Sequence, residues 1–358
     1  MSGKRKLSFD IIRTVAIFMV VMGHAAIFMV SYDDPEIQDA AFYVRNLFNG
    51  LGRAATPMFM MLSGALFLDE ERDFDTRRFY RKSLLDILRL LVFWGLFYAI
   101  CSAVLTPLIQ GRAVDMSLFW DCLLLGNEQY PHLWYMCMLV VAYLAIPVLR
   151  LYVKAENRRY ILGLIMISTV AQFLTQTAEV FTVDKHYSVI DFVNKFCPDY
   201  FTGYVPYLLI GWYLSAFPPQ GKARIALIGA GAAAAAIIVL GVTLWVRDIP
   251  YISDYISDMN TLPAMVYGVG LFTLISSLAG ERETRSRALL TLSRTAFGVY
   301  ILHMFFLRII LSVMPFAAFH ERYPLLYLIA LFVSDYAMSL GAVLLLSKVR
   351  GVRTLVRG

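Results

Sequence analysis

Apolar runs of about twenty residues, separated by short polar breaks, recur along the whole 358-residue chain. Crossing about 30 Å of hydrocarbon takes about 20 apolar residues in a helix. The pattern therefore predicts spans near 9–30, 48–68, 84–109, 133–151, 160–182, 199–217, 224–246, 261–279, 290–315 and 324–347. The expected fold is all-α: a polytopic membrane helical bundle with about ten transmembrane helices, forming a single membrane-embedded domain over residues 1–358. No internal period of 20–50 residues points to a solenoid. The Ala-rich stretch from Ala230 to Ala236 reads as close helix packing through small side chains.

Composition excludes a soluble fold, since 59% of residues are hydrophobic and 16% charged, against about 45–50% and about 25% in soluble domains. The net charge of +6 does not point to nucleic acid, because the basic residues sit at the ends of apolar runs rather than on one solvated face. With the N-terminus inside, 21 of the 32 basic residues fall in inner segments, and only Arg45, Arg112, Lys185, Lys195, Arg247 and Arg322 in outer loops. The positive-inside rule then makes both termini cytoplasmic. Acidic residues of the outer loops, Asp33, Asp34, Glu36, Asp39, Asp248, Asp254 and Asp258, read as solvating groups. The basic-then-apolar N-terminus resembles a secretory signal, but its apolar run is long enough to span and contains Arg13 and His24, so it reads as an uncleaved first helix. Four cysteines without a C-x-x-C pair argue against a redox or zinc motif. A disulfide between Cys122 and Cys197 is left open.

Ionisable side chains at bilayer depth are costly, about 2.5–3.5 kcal/mol each on insertion scales, and are functional candidates by default. The first span carries three: Asp10, Arg13 and His24. At 100° and 1.5 Å per residue, Arg13 and His24 fall within roughly 20° of one face and about 16 Å apart along the axis. Asp10 precedes Arg13 by three residues and can pair with it. Snorkelling to the inner headgroups accounts for Arg13 alone, but not for three polar groups on one face. In the ninth span Tyr300 and His303 share a face, while Arg308 and Asp335 are expected to pair with each other. His132 and Trp134 sit where the fourth span meets the outer surface, in an aromatic-rich stretch that is ordinary there. His186 and His320 read as solvated loop residues. No H-E-x-x-H, phosphate-binding Gly-rich loop or G-x-S-x-G elbow is present, so no metal site is expected.

The Arg13-x(10)-His24 element, with Asp10 three residues before the arginine, resembles the signature of the acyltransferase family 3 membrane proteins. Three further stretches are similar to that family in the same order: Arg53-Ala-Ala-Thr-Pro57 through Ser63-Gly64, His132-Leu-Trp134-Tyr, and Ser293 through Tyr300 and His303. The similarity is greatest to the branch that O-acetylates bacterial surface polysaccharides, without the periplasmic esterase-like domain of fused members.

What the resemblance implies is an integral membrane O-acyltransferase of the bacterial inner membrane. It would move an acyl group, acetyl first among the candidates, from cytoplasmic acyl-CoA to a hydroxyl of a cell-surface or lipid-linked glycan. Acyl-CoA, the glycan acceptor and membrane lipids are the expected partners. Acetyl-CoA would be a substrate rather than a tightly bound cofactor, and homo-oligomerisation is left open. His24 would be the general base, and Arg13, oriented by Asp10, would bind the donor or polarise its thioester. A relay through an acyl-histidine stays open. Arg53 would hold a diphosphate or sugar of the acceptor, His132 and Trp134 would line the acceptor mouth, and Tyr300 and His303 would complete the polar core. Ser63 is a binding candidate, or with Gly64 packs against the first helix. The competing class is a polytopic transporter or exporter with Arg13 and His24 lining its path, which calls for interrupted helices in matching halves.

Overall fold

The computed structural model describes residues 5–29, 39–109, 111, 113–123, 130–182, 203–245, 261–313 and 317–356. Among these the fold is helical throughout, with one isolated bridge between Lys6 and Glu283. The helices are α1 (Leu7–Phe28), α2 (Ala40–Gly52), α3 (Ala55–Phe67), α4 (Thr76–Leu105), α5 (Met116–Leu123), α6 (Trp134–Tyr152), α7 (Arg158–Thr182), α8 (Val205–Ala216), α9 (Gly221–Trp245), α10 (Leu262–Ala279), α11 (Arg287–Val313), α12 (Ala317–Arg322) and α13 (Pro324–Leu346). Seven of the described helices, α1, α4, α6, α9 over Gly221–Gly241, α10, α11 and α13, are long and apolar enough to cross a membrane. α8 is apolar but only 12 residues long. α7 is 25 residues long, and its side chains beyond residue 172 lie outside the described residues.

The expected continuous span over 48–68 is two helices. Pro57 has no N–H for the Arg53 carbonyl four residues earlier and its ring clashes there, while Gly50 and Gly52 weaken the turn before it. The chain therefore breaks at Arg53–Ala54 and restarts as α3, with Pro57 in its first turn. Arg45, expected in an outer loop, lies inside α2, whose first turn is capped by the Asp39 carboxylate accepting from Phe42 N at 2.8 Å. Arg150 of α6 fixes the other end of α3. Its guanidinium donates to the carbonyls of Phe67 at 2.6 Å and Asp69 at 2.7 Å, oxygens the helix end leaves open.

α1 is the hub of the bundle, packed against α2, α3, α10, α11 and α13. Lipid tails are as apolar as the helices, so close backbone approach must hold them together. At the α3–α8 crossing, a Cβ at Gly64 would run into the Leu208 carbonyl and one at Gly211 into the Met61 carbonyl. Gly64 thus packs against α8 and not, as expected, against the first helix. α9 and α10 meet at Gly231 and Gly270. In the Ala-rich stretch only Gly231 and Ala234 turn inward, and Ala232, Ala233 and Ala236 face outward. On α1, Gly23 faces Gly52, so the α2–α3 break lies level with His24.

Candidate active site

α1, α11 and the short 3-10 turn Pro131–Leu133 before α6 bring three imidazoles together. His303 Nε2 lies 3.2 Å from His24 Nδ1, and the His132 and His303 ring centres are 5.3 Å apart. Carbonyl oxygens only accept, which fixes the protons of neutral rings. His303 Nδ1 donates to the Tyr300 carbonyl at 2.7 Å, so its Nε2 accepts. His24 Nδ1 then carries its proton, shared between His303 Nε2 and the Val20 carbonyl at 3.0 Å. The nitrogen left with a lone pair on His24 is Nε2. His132 Nε2 donates to the Ile301 carbonyl at 3.3 Å, which leaves Nδ1 as a buried acceptor with no partner among the described residues. Tyr300 OH donates to the His132 carbonyl at 2.6 Å and ties the turn to α11.

A second polar cluster lies toward the start of α1. Asp10, 1% exposed, accepts from Arg5, from Ser293 Oγ at 2.6 Å and from Thr284 Oγ1 at 2.7 Å. Arg13 Nη1 donates to Ser293 Oγ at 2.9 Å and lies 3.6 Å from Asp10 Oδ1. The expected Asp10–Arg13 pair is therefore present, but as part of a larger network in which Arg5 is the closer cation. Ser293, quoted above only within a motif, is its hub, and Arg5 and Thr284 gave no signal in the sequence because their proximity is created by the fold.

Both clusters border one cavity of about 1040 Å³. Arg13 and His24 of α1 line it together with Arg53, Ser63, His132, Trp134 and Tyr300. Asp10 and His303 stand behind this wall, each holding a residue that lines it. One end of the cavity is bordered by the chain before α1, the start of α4, the start of α11 and the turn after α13, through Arg5, Lys82, Arg294 and Arg353. The other end is bordered by Asn49, Gly52, Arg53 and Trp134, from the end of α2 and the start of α6. A π-helical turn at Tyr80–Leu84 widens α4 beside the first end, a distortion frequent at functional sites.

Other expected contacts differ. Asp335 does not pair with Arg308: its Oδ1 accepts from Ser339 Oγ at 3.2 Å, and the Arg308 guanidinium lies 4.2 Å from the Phe28 ring centre. Asp335 is fully buried on α13, and Arg308 is half-buried on α11. Ser63 Oγ donates to the Phe59 carbonyl at 2.9 Å within its own helix. The Trp134 ring lies tilted against Tyr204 with centres 5.5 Å apart, and nothing in the sequence singled out Tyr204. Cys122 is a buried free thiol. Cys197, His186, Asp33, Asp34, Glu36, Asp248, Asp254, Asp258, Arg112, Lys185, Lys195 and Arg247 lie outside the described residues, as does the side chain of His320. Among the described residues no His, Cys, Asp and Glu side chains group as metal ligands would.

A helical chain with seven described helices long and apolar enough to cross a membrane, and with α1, α2, α3, α4, α6 and α11 lining a cavity that holds cations and imidazoles, is a multi-pass membrane protein with an internal polar site. The family model of acyltransferase family 3, described as an acyltransferase domain, matches residues 6–339, essentially the whole chain. The chain belongs to that family and is a membrane acyltransferase. Comparison with curated proteins and with solved structures gives no match.

Proposed function

We propose that this protein transfers an acyl group, acetyl in the first instance, from acyl-CoA in the cytoplasm to a hydroxyl of a lipid-linked or cell-surface glycan. The chain would sit in the bacterial inner membrane with about ten spans and both termini cytoplasmic. The observation that carries the proposal is the open Nε2 of His24 on a cavity whose far end is rimmed by cations from both ends of the chain.

In this scheme the acceptor O–H gives its proton to His24 Nε2 as its oxygen attacks the thioester carbon. The tetrahedral intermediate then expels the thiolate as the C–S bond breaks, and His24 returns the proton to sulfur. The products are the glycan ester and free CoA. His303 is the orienting group: its Nε2 accepts from His24 Nδ1 and steadies the imidazolium that forms, as a third group does in nucleophile–base–orienter arrangements. An imidazole suits the task because it exchanges protons near neutral pH.

The geometry favours one of the two roles open for Arg13. It is held at the level of Ser293, roughly 16 Å along α1 from His24, too far to polarise a carbonyl under attack there. Arg13 therefore binds the donor arm on its way to the reacting centre. Arg53, beside the Gly23–Gly52 contact, is the cation level with His24. It is assigned to the acceptor or to the oxyanion that develops there, with Trp134 offering its ring to a sugar face.

The break between α2 and α3 is a feature that a transporter would also use. Radiolabelled acetyl-CoA supplied to membranes separates the two: an acyltransferase moves label onto glycan, and the His24→Ala variant does not. Label that never leaves the thioester in wild-type membranes would refute the proposal.

A further inference from the structure

The family match ends at residue 339, but the chain continues beyond α13 and folds back on the cavity. Backbone bonds from Arg353 N to Val349 O at 2.9 Å and from Leu355 N to Val352 O at 2.8 Å reverse its course into a 3-10 turn at Arg353–Leu355. Two contacts clamp that turn. Trp94 of α4 donates its indole N–H to the Leu355 carbonyl at 2.9 Å. Val356, 1% exposed, lays its carbonyl against Gly298 of α11, where a Cβ would come within 2.6 Å of it. The tail is thus a fixed wall, and it brings Arg353 to the cavity that Lys82 and Arg294 also line.

These three cations are exposed and have no ion pair among the described residues, whereas neighbouring Arg89 lies 3.3 Å from Asp86. Basic residues at an inner membrane face commonly serve topology and lipid headgroups. These three instead border the cavity that holds Arg13 and His24. Like charges gathered on the wall of a cavity repel unless an anion joins them.

We propose that the C-terminal turn is part of the donor site, and that Arg353, with Lys82 and Arg294, grips the phosphates of a nucleotide-bearing thioester carrier. The turn is then a specificity element: it selects the carrier by its phosphorylated end, and Trp94 acts as a positioning residue through the Leu355 carbonyl. This rests on acyl-CoA being the donor.

The test is equilibrium binding of radiolabelled CoA to the full chain in nanodiscs, with adenosine 3′,5′-bisphosphate and pantetheine as competitors. Wild type binds CoA and releases it to the bisphosphate. R353A weakens CoA and the bisphosphate about tenfold, the worth of one charge-assisted hydrogen bond, and leaves competition by pantetheine unchanged. R353K recovers most of the loss, and the difference shrinks as ionic strength rises. W94F weakens CoA in the same direction, and the W94F/R353A double variant is no weaker than R353A, because both act through one contact. If wild type does not bind CoA, the donor assignment fails and this inference with it. If wild type binds CoA but R353A binds it equally well, or the bisphosphate does not displace it, the cations serve lipid headgroups and the tail assignment alone is overturned.

Discussion

Replacing His303 with alanine tests whether it orients the base or is the base. His24 Nδ1 has two acceptors, His303 Nε2 at 3.2 Å and the Val20 carbonyl at 3.0 Å. The substitution removes one and leaves the other, so His24 keeps its tautomer and its open Nε2. What is lost is a hydrogen bond to a ring that becomes charged in the transition state, about 1.5–3 kcal/mol. That converts to a fall in kcat of about 10- to 100-fold. Loss of the base itself in His24→Ala is expected to cost more, about 10²- to 10⁴-fold. His303→Gln, whose side-chain oxygen can accept from His24 Nδ1, recovers part of the rate. Initial rates of label transfer from acetyl-CoA to membrane glycan, normalised to protein content, measure all three. A loss in His303→Ala larger than that in His24→Ala would reverse the assignment, and unchanged turnover would remove His303 from the mechanism.

Other consequences are independent of that pair. Asp10→Asn removes the buried counter-charge shared by the partly exposed Arg5 and Arg13 and should cost about 1.5–3 kcal/mol of stability, the worth of hydrogen bonds to a charged group; thermal unfolding in detergent checks it. Gly211→Ala sets a methyl group into the Met61 carbonyl at the α3–α8 crossing, an overpacking worth about 1–3 kcal/mol, and should lower the same midpoint, whereas alanine at Gly163, which meets open space, should not. Arg13→Ala should raise KM for acetyl-CoA more than it lowers kcat, whereas Arg53→Ala should act mainly on kcat or on the acceptor. The reverse pattern in steady-state rates would exchange their roles.

Much of α1 was legible in the sequence because a helix is periodic. The eleven-residue interval that puts Arg13 and His24 on one face holds in the folded chain, where both line one cavity. The break at Arg53 was also within reach, since Pro57 removes the donor for that carbonyl, but apolar content alone joined the two halves into one span. Contacts between distant segments could not be read. His24, His132 and His303 meet only because α1 is wrapped by α11 and the turn before α6, and no local pattern encodes that. Arg308 and Asp335 show the opposite error, in which charge complementarity suggested a pair, whereas in the fold Asp335 meets Ser339 and Arg308 meets Phe28. The tail cations looked like a topology signal, but the Trp94–Leu355 bond and the Val356–Gly298 contact hold the tail so that Arg353 lines the cavity.

The central claim is that His24 Nε2 removes the proton from the acceptor hydroxyl. Its most direct measurement is transfer of radiolabelled acetyl from acetyl-CoA to membrane glycan by matched preparations of wild type and His24→Ala with equal expression and equal CoA binding. The expected result is label on glycan in the wild type and at least a 100-fold slower rate in the variant. Transfer at the wild-type rate by His24→Ala would contradict the account.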